Sequence, residues 1–357
     1  MVSLVNWDEL EKLAQQDLRE VPDADIQKIL NALRILREQQ AWQGILRLQE
    51  MFSSMMLTQK LTLGRLRTLR DALEEDAIEA ARALDLKDVE ARYLHDRGQF
   101  LHQVGLHEKA IQAFDYSAQL YSELGQSFRA LESYYMTALC YRALNQGAKA
   151  EEVLNRVLSE TKDNTWRAHP LEVLAWIQLD KGNLIEVERL LRESLELHRS
   201  SDASNKDIMI AQVQADLGEV LGLMRRYDEG MKSFQESIEL LARYPDQYDR
   251  LRARTTIKYA EMLSDMGRND EALRMLRDVE KLISQYGGYS DLLWRIELDL
   301  ARIYWRMRDV STAALKLRIA VGIRRRLGLS NWQLIQQQLT RRFAGKSFRK
   351  LADKKYK

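Results

Sequence analysis

Proline is nearly missing from this chain, and its scarcity is the first constraint on the fold. Three prolines in 357 residues leave little room for extended linkers, and 16 glycines argue against a turn-rich sheet protein. Stretches that alternate apolar and polar residues are absent, while Leu, Ala, Glu, Arg and Gln dominate, all of them good helix formers. One cysteine, Cys140, makes an internal disulfide impossible. Flanked by Leu139 and Tyr141, it reads as a core residue rather than a nucleophile. No stretch reaches eighteen uncharged apolar residues, so no transmembrane association is expected. The opening residues MVSLVNWDELEKL carry acids where a signal peptide needs a basic region, and together these features fit a cytoplasmic protein.

Catalytic signatures are lacking too. HExxH, glycine-rich phosphate loops, GxSxG and Cys-His patterns do not occur. Five histidines are present, and His95 and His102 are two helical turns apart, yet no cysteine or carboxylate pair completes a metal set by spacing. Glu74, Glu75 and Asp76 read as a surface run rather than an acid–base pair. The expectation is no enzyme, no metal and no cofactor.

What the chain does contain is an internal period. Between Ala91 and Gly125, Leu94, Gly98 and Leu101 share one helix face, and Ala110, Phe114 and Ser117 share one face of a second helix. Gly105 stands between them as the turn. With Ala110 as register mark, equivalent positions are Ala150, Val187, Gly230, Ala272 and Ala313, at steps of 40, 37, 43, 42 and 41 residues. Five residues before each mark a turn is expected, at Gly105, Asn145, Gly182, Arg225, Gly267 and Arg308. Twelve before each lies a small residue: Gly98, Ala138, Ala175, Gly218, Ala260 and Ala301. Four after each comes a large apolar one: Phe114, Leu154, Leu191, Phe234, Leu276 and Leu317. An ordinary helical bundle has no reason to keep such a register.

On these residues, and on the units QFLHQVGLHEKAIQAF, EVLGLMRRYDEGMKSF and EMLSDMGRNDEALRML, the chain resembles the tetratricopeptide repeat family from about Ala91 to Leu327. Val187 and Gly230 depart from the family's usual alanine, and the steps exceed its usual length. In that respect the repeats look like the long ones of bacterial transcriptional activators, signalling ATPases and peptide-sensing regulators. The resemblance implies an all-α fold, a right-handed superhelical solenoid of about six hairpins whose first helices line a concave face. The expected layout is an N-terminal helical bundle or divergent repeats over 1–88, the repeat superhelix over 89–328, a capping helix over 329–345 and a basic tail over 346–357. Helices are expected at Asn6 to Leu18, from Pro22-Asp23 to Gln39, from Trp42 to Met56 and from Leu63 to Leu84. TKDNTWRAHP, HRSSDASNKD and ARYPDQYDR read as inter-repeat loops.

Carried over residue by residue, the family's groove positions fall at Gln99, His102, Tyr135, Arg142, Trp176, Glu219, Arg254, Glu261, Arg302, Trp305 and Arg306. Trp176 and Trp305 also suit packing between repeats. The Lys/Asn clamp that this family uses for chaperone tails is not reproduced. Arg302, Arg306 and Arg308 lie together near Trp305 and invite an acidic partner. The stretch from Arg341 to Lys357 carries eight bases and one acid, a charge of +7 that leaves 2 − 7 = −5 for the remainder. Among its cations, Arg341, Arg342, Lys346, Arg349, Lys350, Lys354 and Lys355 are interleaved with aromatics and suit nucleic acid or another acidic surface. Three functions follow as expectations: an adaptor or regulator binding a protein or peptide in the groove, a peptide-sensing switch, and a nucleic-acid accessory protein using the tail.

Overall fold

The computed structural model describes residues 5–16, 22–56, 65–161, 163–244, 249–286 and 290–326. Sixteen α-helices and no strand occur among the described residues. The expected capping helix and basic tail lie outside them. The chain divides into two compact units, Met1–Ile177 and Gln178–Lys357.

The first unit begins with α1 (Trp7–Ala14), α2 (Asp23–Glu38), α3 (Trp42–Met56) and α4 (Arg65–Ala83). The Asn6 side chain caps α1 by accepting from the Glu9 amide, and Pro22, which has no N–H to leave unsatisfied, precedes α2. The apolar stripes of these helices close around Ile29, Leu33, Ile45, Leu48, Phe52 and Leu73, all buried. There follow α5 (Lys87–Gln103), α6 (His107–Glu123), α7 (Ser127–Ala143), α8 (Gly147–Glu160) and the first part of α9 (Asn164–Lys181). Each of α5, α6 and α7 packs on the helix after it, as antiparallel neighbours joined by three-residue turns.

The turns explain the period. Asp85, Gly105, Gly125 and Asn145 all take positive φ and are spaced twenty residues apart. The 40-residue step in this part of the chain is therefore two equal helix-plus-turn modules. At each turn the residue after the left-handed one donates its N–H back to a carbonyl five positions earlier, as Leu106 does to Leu101 at 2.8 Å and Gln146 to Tyr141 at 2.8 Å. These bonds satisfy carbonyls that the helix end would otherwise leave open.

The second unit contains the rest of α9, then α10 (Leu184–Arg199), α11 (Lys206–Leu223), α12 (Tyr227–Ala242), α13 (Asp249–Asp265), α14 (Asn269–Tyr286), α15 (Ser290–Arg306) and α16 (Val310–Arg326). α11 pairs with α12, α13 with α14 and α15 with α16, while α11 also touches α13 and α13 touches α15. The first helices thus form a packed layer of their own. Gly182, Arg225, Gly267 and Arg308 have positive φ, so all six residues expected at turns adopt the left-handed conformation. All six register marks are buried.

Two local expectations are corrected. TKDNTWRAHP is not a loop throughout: α9 starts at Asn164 and carries Pro170 inside it. The Asp163 carboxylate accepts from the Trp166 amide at 3.2 Å and caps the helix. Pro170 is the seventh residue of α9, past the first turn, so the helix forgoes one backbone bond, to the Trp166 carbonyl. Glu74 and Asp76 are not surface residues but are 3% and 5% exposed. Arg97 reaches across from α5 to Asp71, Glu74 and Glu75 and, with Arg70 bonded to Glu74 at 2.7 Å, makes burial of that acid affordable.

Candidate functional site

A helix face that carries charge and rings in register is the natural place to look for binding, and both units present one on their first helices.

In the first unit, Phe128, Tyr135 and Arg142 recur every seven residues along α7, so they lie along one face, two turns apart. All three meet tryptophans of α9. Phe128 and Tyr135 meet Trp166 edge-on at ring centroid distances of 5.5 and 5.8 Å, and the Arg142 guanidinium lies 4.9 Å over the Trp176 ring. Burial, with Glu172 nearby, pushes the Tyr135 phenol upward, so its hydroxyl stays a neutral donor and acceptor. Of the expected groove residues, Tyr135, Arg142 and Trp176 therefore belong to one aromatic–guanidinium seam. Phe128 and Trp166 join them; they were missed because the repeat register assigns them to the turns at the helix starts.

Gln99 and His102 are held differently. The Gln99 amide donates to Nε2 of His95 at 2.9 Å, which leaves Nδ1 of that imidazole to donate to the Ser133 hydroxyl at 2.9 Å. Burial depresses His95 to about 4, so the ring is neutral at ordinary pH. His102 does not share a site with His95. Its Nδ1 lies 3.2 Å from Nδ1 of His107 and 3.2 Å from Sγ of Cys140, so a cysteine does join the histidines, contrary to what spacing alone indicated. Cys140 is buried, as expected of a core residue.

In the second unit the first-helix layer is joined by ion pairs. Lys258 of α13 reaches Asp216 and Glu219 of α11 at 2.5 and 2.7 Å. Asp265 of α13 receives Arg302 and, at 2.5 Å, Arg306 of α15, and Arg306 also donates to the Ser264 hydroxyl at 3.0 Å. The Lys258 side chain is only 10% exposed, and that desolvation alone would lower its pKa, yet the two carboxylates outweigh it and raise the pKa. For Arg302 the balance goes the other way, with burial lowering its pKa despite Asp265.

Glu219, Arg302 and Arg306 thus sit in a ladder that couples α11 to α13 and α13 to α15. Glu261 acts on Arg302 electrostatically, and Trp305 is half-buried beside them in sequence. Arg254 is exposed. The arginine cluster separates by access: the Arg302 side chain is 9% exposed, Arg306 is 34%, and Arg308 is an exposed turn residue. The cationic tail residues lie outside the described residues. None of the helices among them is long and apolar enough to cross a membrane.

Comparison with known proteins agrees with this architecture. A family model described as tetratricopeptide repeat matches residues 208–283, the stretch of α11 to α14. No curated protein matches the sequence. Among solved structures, aspartyl phosphate phosphatase F from Bacillus subtilis is similar with a TM-score of 0.64 at 13% identity, over 89% of this chain and 79% of that one. A tetratricopeptide repeat protein from Parabacteroides merdae gives 0.57 at 16%, over 85% and 99%. The Rap conjugation gene regulator of the plasmid pLS20, in complex with the Phr* peptide, gives 0.52 at 15%, over 94% and 96%. At these identities the likeness concerns the fold alone: this chain has a tetratricopeptide-like, all-helical repeat fold.

Proposed function

We propose that this protein is a peptide-sensing regulator, and that a short peptide with carboxylate side chains binds on the first-helix layer of the second unit at Arg306. The observation that carries the reading is the ladder itself. Asp265 is a single carboxylate holding two guanidiniums of the next hairpin, and Arg306 remains one-third exposed at its edge. A ligand carboxylate that forms a bidentate pair with Arg306 competes with Asp265. Binding then loosens or resets the coupling between α13 and α15, so occupancy becomes a change in how two hairpins are held. That is the minimum a sensor needs.

The likeness in fold to the peptide-bound Rap regulator supports a peptide ligand over a large obligate partner. Within the first unit, the seam of Tyr135, Arg142 and Trp176 offers apolar area with planar donors, which by itself suits an extended segment. The broader adaptor reading shares this surface. The nucleic-acid reading rests on the tail alone and has no further observation behind it.

Selection of a random peptide display library against the purified chain tests the proposal. Enriched peptides should carry Asp or Glu and lose about tenfold or more in affinity to an Arg306→Glu variant, a change of about 1.4 kcal/mol. Peptides without acidic character, or equal binding to both proteins, would overturn it.

A further inference from the structure

His102 in the last turn of α5, His107 at the start of α6 and Cys140 in α7 bring their donor atoms within 4.8 Å of one another. The turn at Gly105, with φ of +82°, folds His107 back beside His102, and the two rings lie 4.9 Å apart at 56°. Cys140 arrives from the following helix, which packs on α6. The arrangement poses a hydrogen-bonding conflict. Nδ1 of His102 stands 3.2 Å from both Nδ1 of His107 and Sγ of Cys140, but a ring nitrogen has one lone pair or one hydrogen, so it can serve one neighbour well and not both. A cation placed among the three accepts a lone pair from each and removes the conflict.

Two imidazoles and a thiolate are a zinc-type donor set. Zinc–nitrogen and zinc–sulfur bonds of about 2.1 and 2.3 Å at tetrahedral angles put ligand atoms about 3.4–3.6 Å apart. The two 3.2 Å separations at Nδ1 of His102 need a few tenths of an ångström of opening, and the His107 and Cys140 donors lie within 4.8 Å of each other. Both histidines are half-buried while Cys140 is fully enclosed, so the site is closed on the sulfur side and reachable on the imidazole side. Asp115, held by the Thr137 hydroxyl at 2.9 Å, lies near enough to act electrostatically on Cys140. With its carboxylate and the thiolate, a divalent ion is charge-balanced.

We propose that His102, His107 and Cys140 bind a divalent transition metal of the zinc class, leaving a fourth position for water or an exogenous donor. On binding, the thiol proton is released to solvent and the sulfur becomes a ligand. The metal fastens the α5–α6 turn to α7, a role independent of the peptide surface in the second unit.

The test uses the full chain, stripped with a chelator and dialysed. Zinc is titrated against a chromophoric competitor, and cobalt is added separately to report thiolate ligation by its sulfur-to-metal charge-transfer absorption. The expected result is stoichiometric binding with Kd below about 1 μM and a rise in Tm with zinc. Cys140→Ala and His107→Gln should each weaken binding by about a hundredfold or more, and Asp115→Asn, an outer-sphere change, by about tenfold. Since Cys140 is a core residue, the half-exposed His107 provides the variant that keeps the fold, checked by unchanged helical circular dichroism. Zinc affinity equal in the His107→Gln protein, cobalt spectra without a thiolate band, or no binding would each overturn the proposal.

Discussion

The Cβ that Gly98 lacks would stand 2.7 Å from the ring of Phe114, and Gly218 has the same relation to Phe234 at 2.8 Å. Both rings are fully buried, so neither has room to retreat. The six repeats show a matching size rule in sequence: glycine occurs where the residue sixteen later is Phe, and alanine at 138, 175, 260 and 301, where it is Leu. Volume at the hairpin crossing is held roughly constant by trading one methyl against a ring. Gly98→Ala should therefore cost about 1–3 kcal/mol. Adding Phe114→Leu should recover a large part of it, giving a coupling of about 1 kcal/mol or more in a denaturation double-mutant cycle. Additive losses would show that the two positions do not share the crossing.

Arg225 and Arg308 occupy left-handed turn positions, with φ of 61° and 66°, where Gly105 and Gly267 stand in other repeats. A side chain with a Cβ is strained there by about 1 kcal/mol. Arg225→Gly should raise stability by about 0.5–1 kcal/mol, and Gly267→Ala should lower it by a similar amount, both read from urea midpoints.

Removing Asp265 leaves the buried Arg302 without its carboxylate, and the neighbouring Arg306 then adds repulsion. A broken buried pair costs about 3–5 kcal/mol, and because Asp265 is one-third exposed the expected loss for Asp265→Ala is nearer 2 kcal/mol. Arg306→Ala, which removes the accessible partner, should cost less than about 1 kcal/mol. The order of the two losses is the check, measured by thermal and urea unfolding.

Two adjacent residues of α5 respond to pH in opposite senses. Burial holds His95 down at about 4 from 6.5, and burial with the charge of Glu74 lifts Asp96 to about 6 from 3.8. Between about 4 and 6.5 the unfolded chain protonates His95 while the folded chain does not, so stability from this group falls as pH drops through that window. Asp96 keeps its proton longer when folded, so its contribution falls as pH rises from about 4 to 6 and stays unfavourable at neutral pH. The two nearly offset each other. Asp96→Asn should raise stability at pH 7.5 by about 2 kcal/mol and expose a steep loss below pH 6. His95→Gln should leave a stability that falls as pH rises from 4 to 6. Melting curves across pH 4–8 read both, and parallel profiles for the two variants would contradict the assignment.

The parts of this molecule that were legible in its sequence are those set by local rules. The turn at Asn145 or Arg308 follows from its distance to Ala150 or Ala313, because a helical hairpin fixes the spacing between its turn and its close crossing. The twenty-residue module from Asp85 to Asn145 was hidden, since Asp85 and Gly125 lie between hairpins and outside the register. Long-range pairings were not legible either. Cys140 meets His102 across 38 residues, and Arg306 meets Asp265 across 41, so each depends on how neighbouring helices are rotated. Glu74 and Arg302 looked exposed for the same reason. A charged residue reads as solvated until the partner that buries it, Arg97 or Asp265, is placed beside it.

The most direct test of the peptide-sensing account is a charge swap measured by calorimetry. An acidic peptide selected on the natural chain is titrated into that chain and into Arg306→Glu, and then the same peptide with its carboxylates replaced by lysines is titrated into both. The account predicts that each peptide binds the protein of opposite charge at least about tenfold more tightly than the other. Equal affinity of the acidic peptide for both proteins would contradict it.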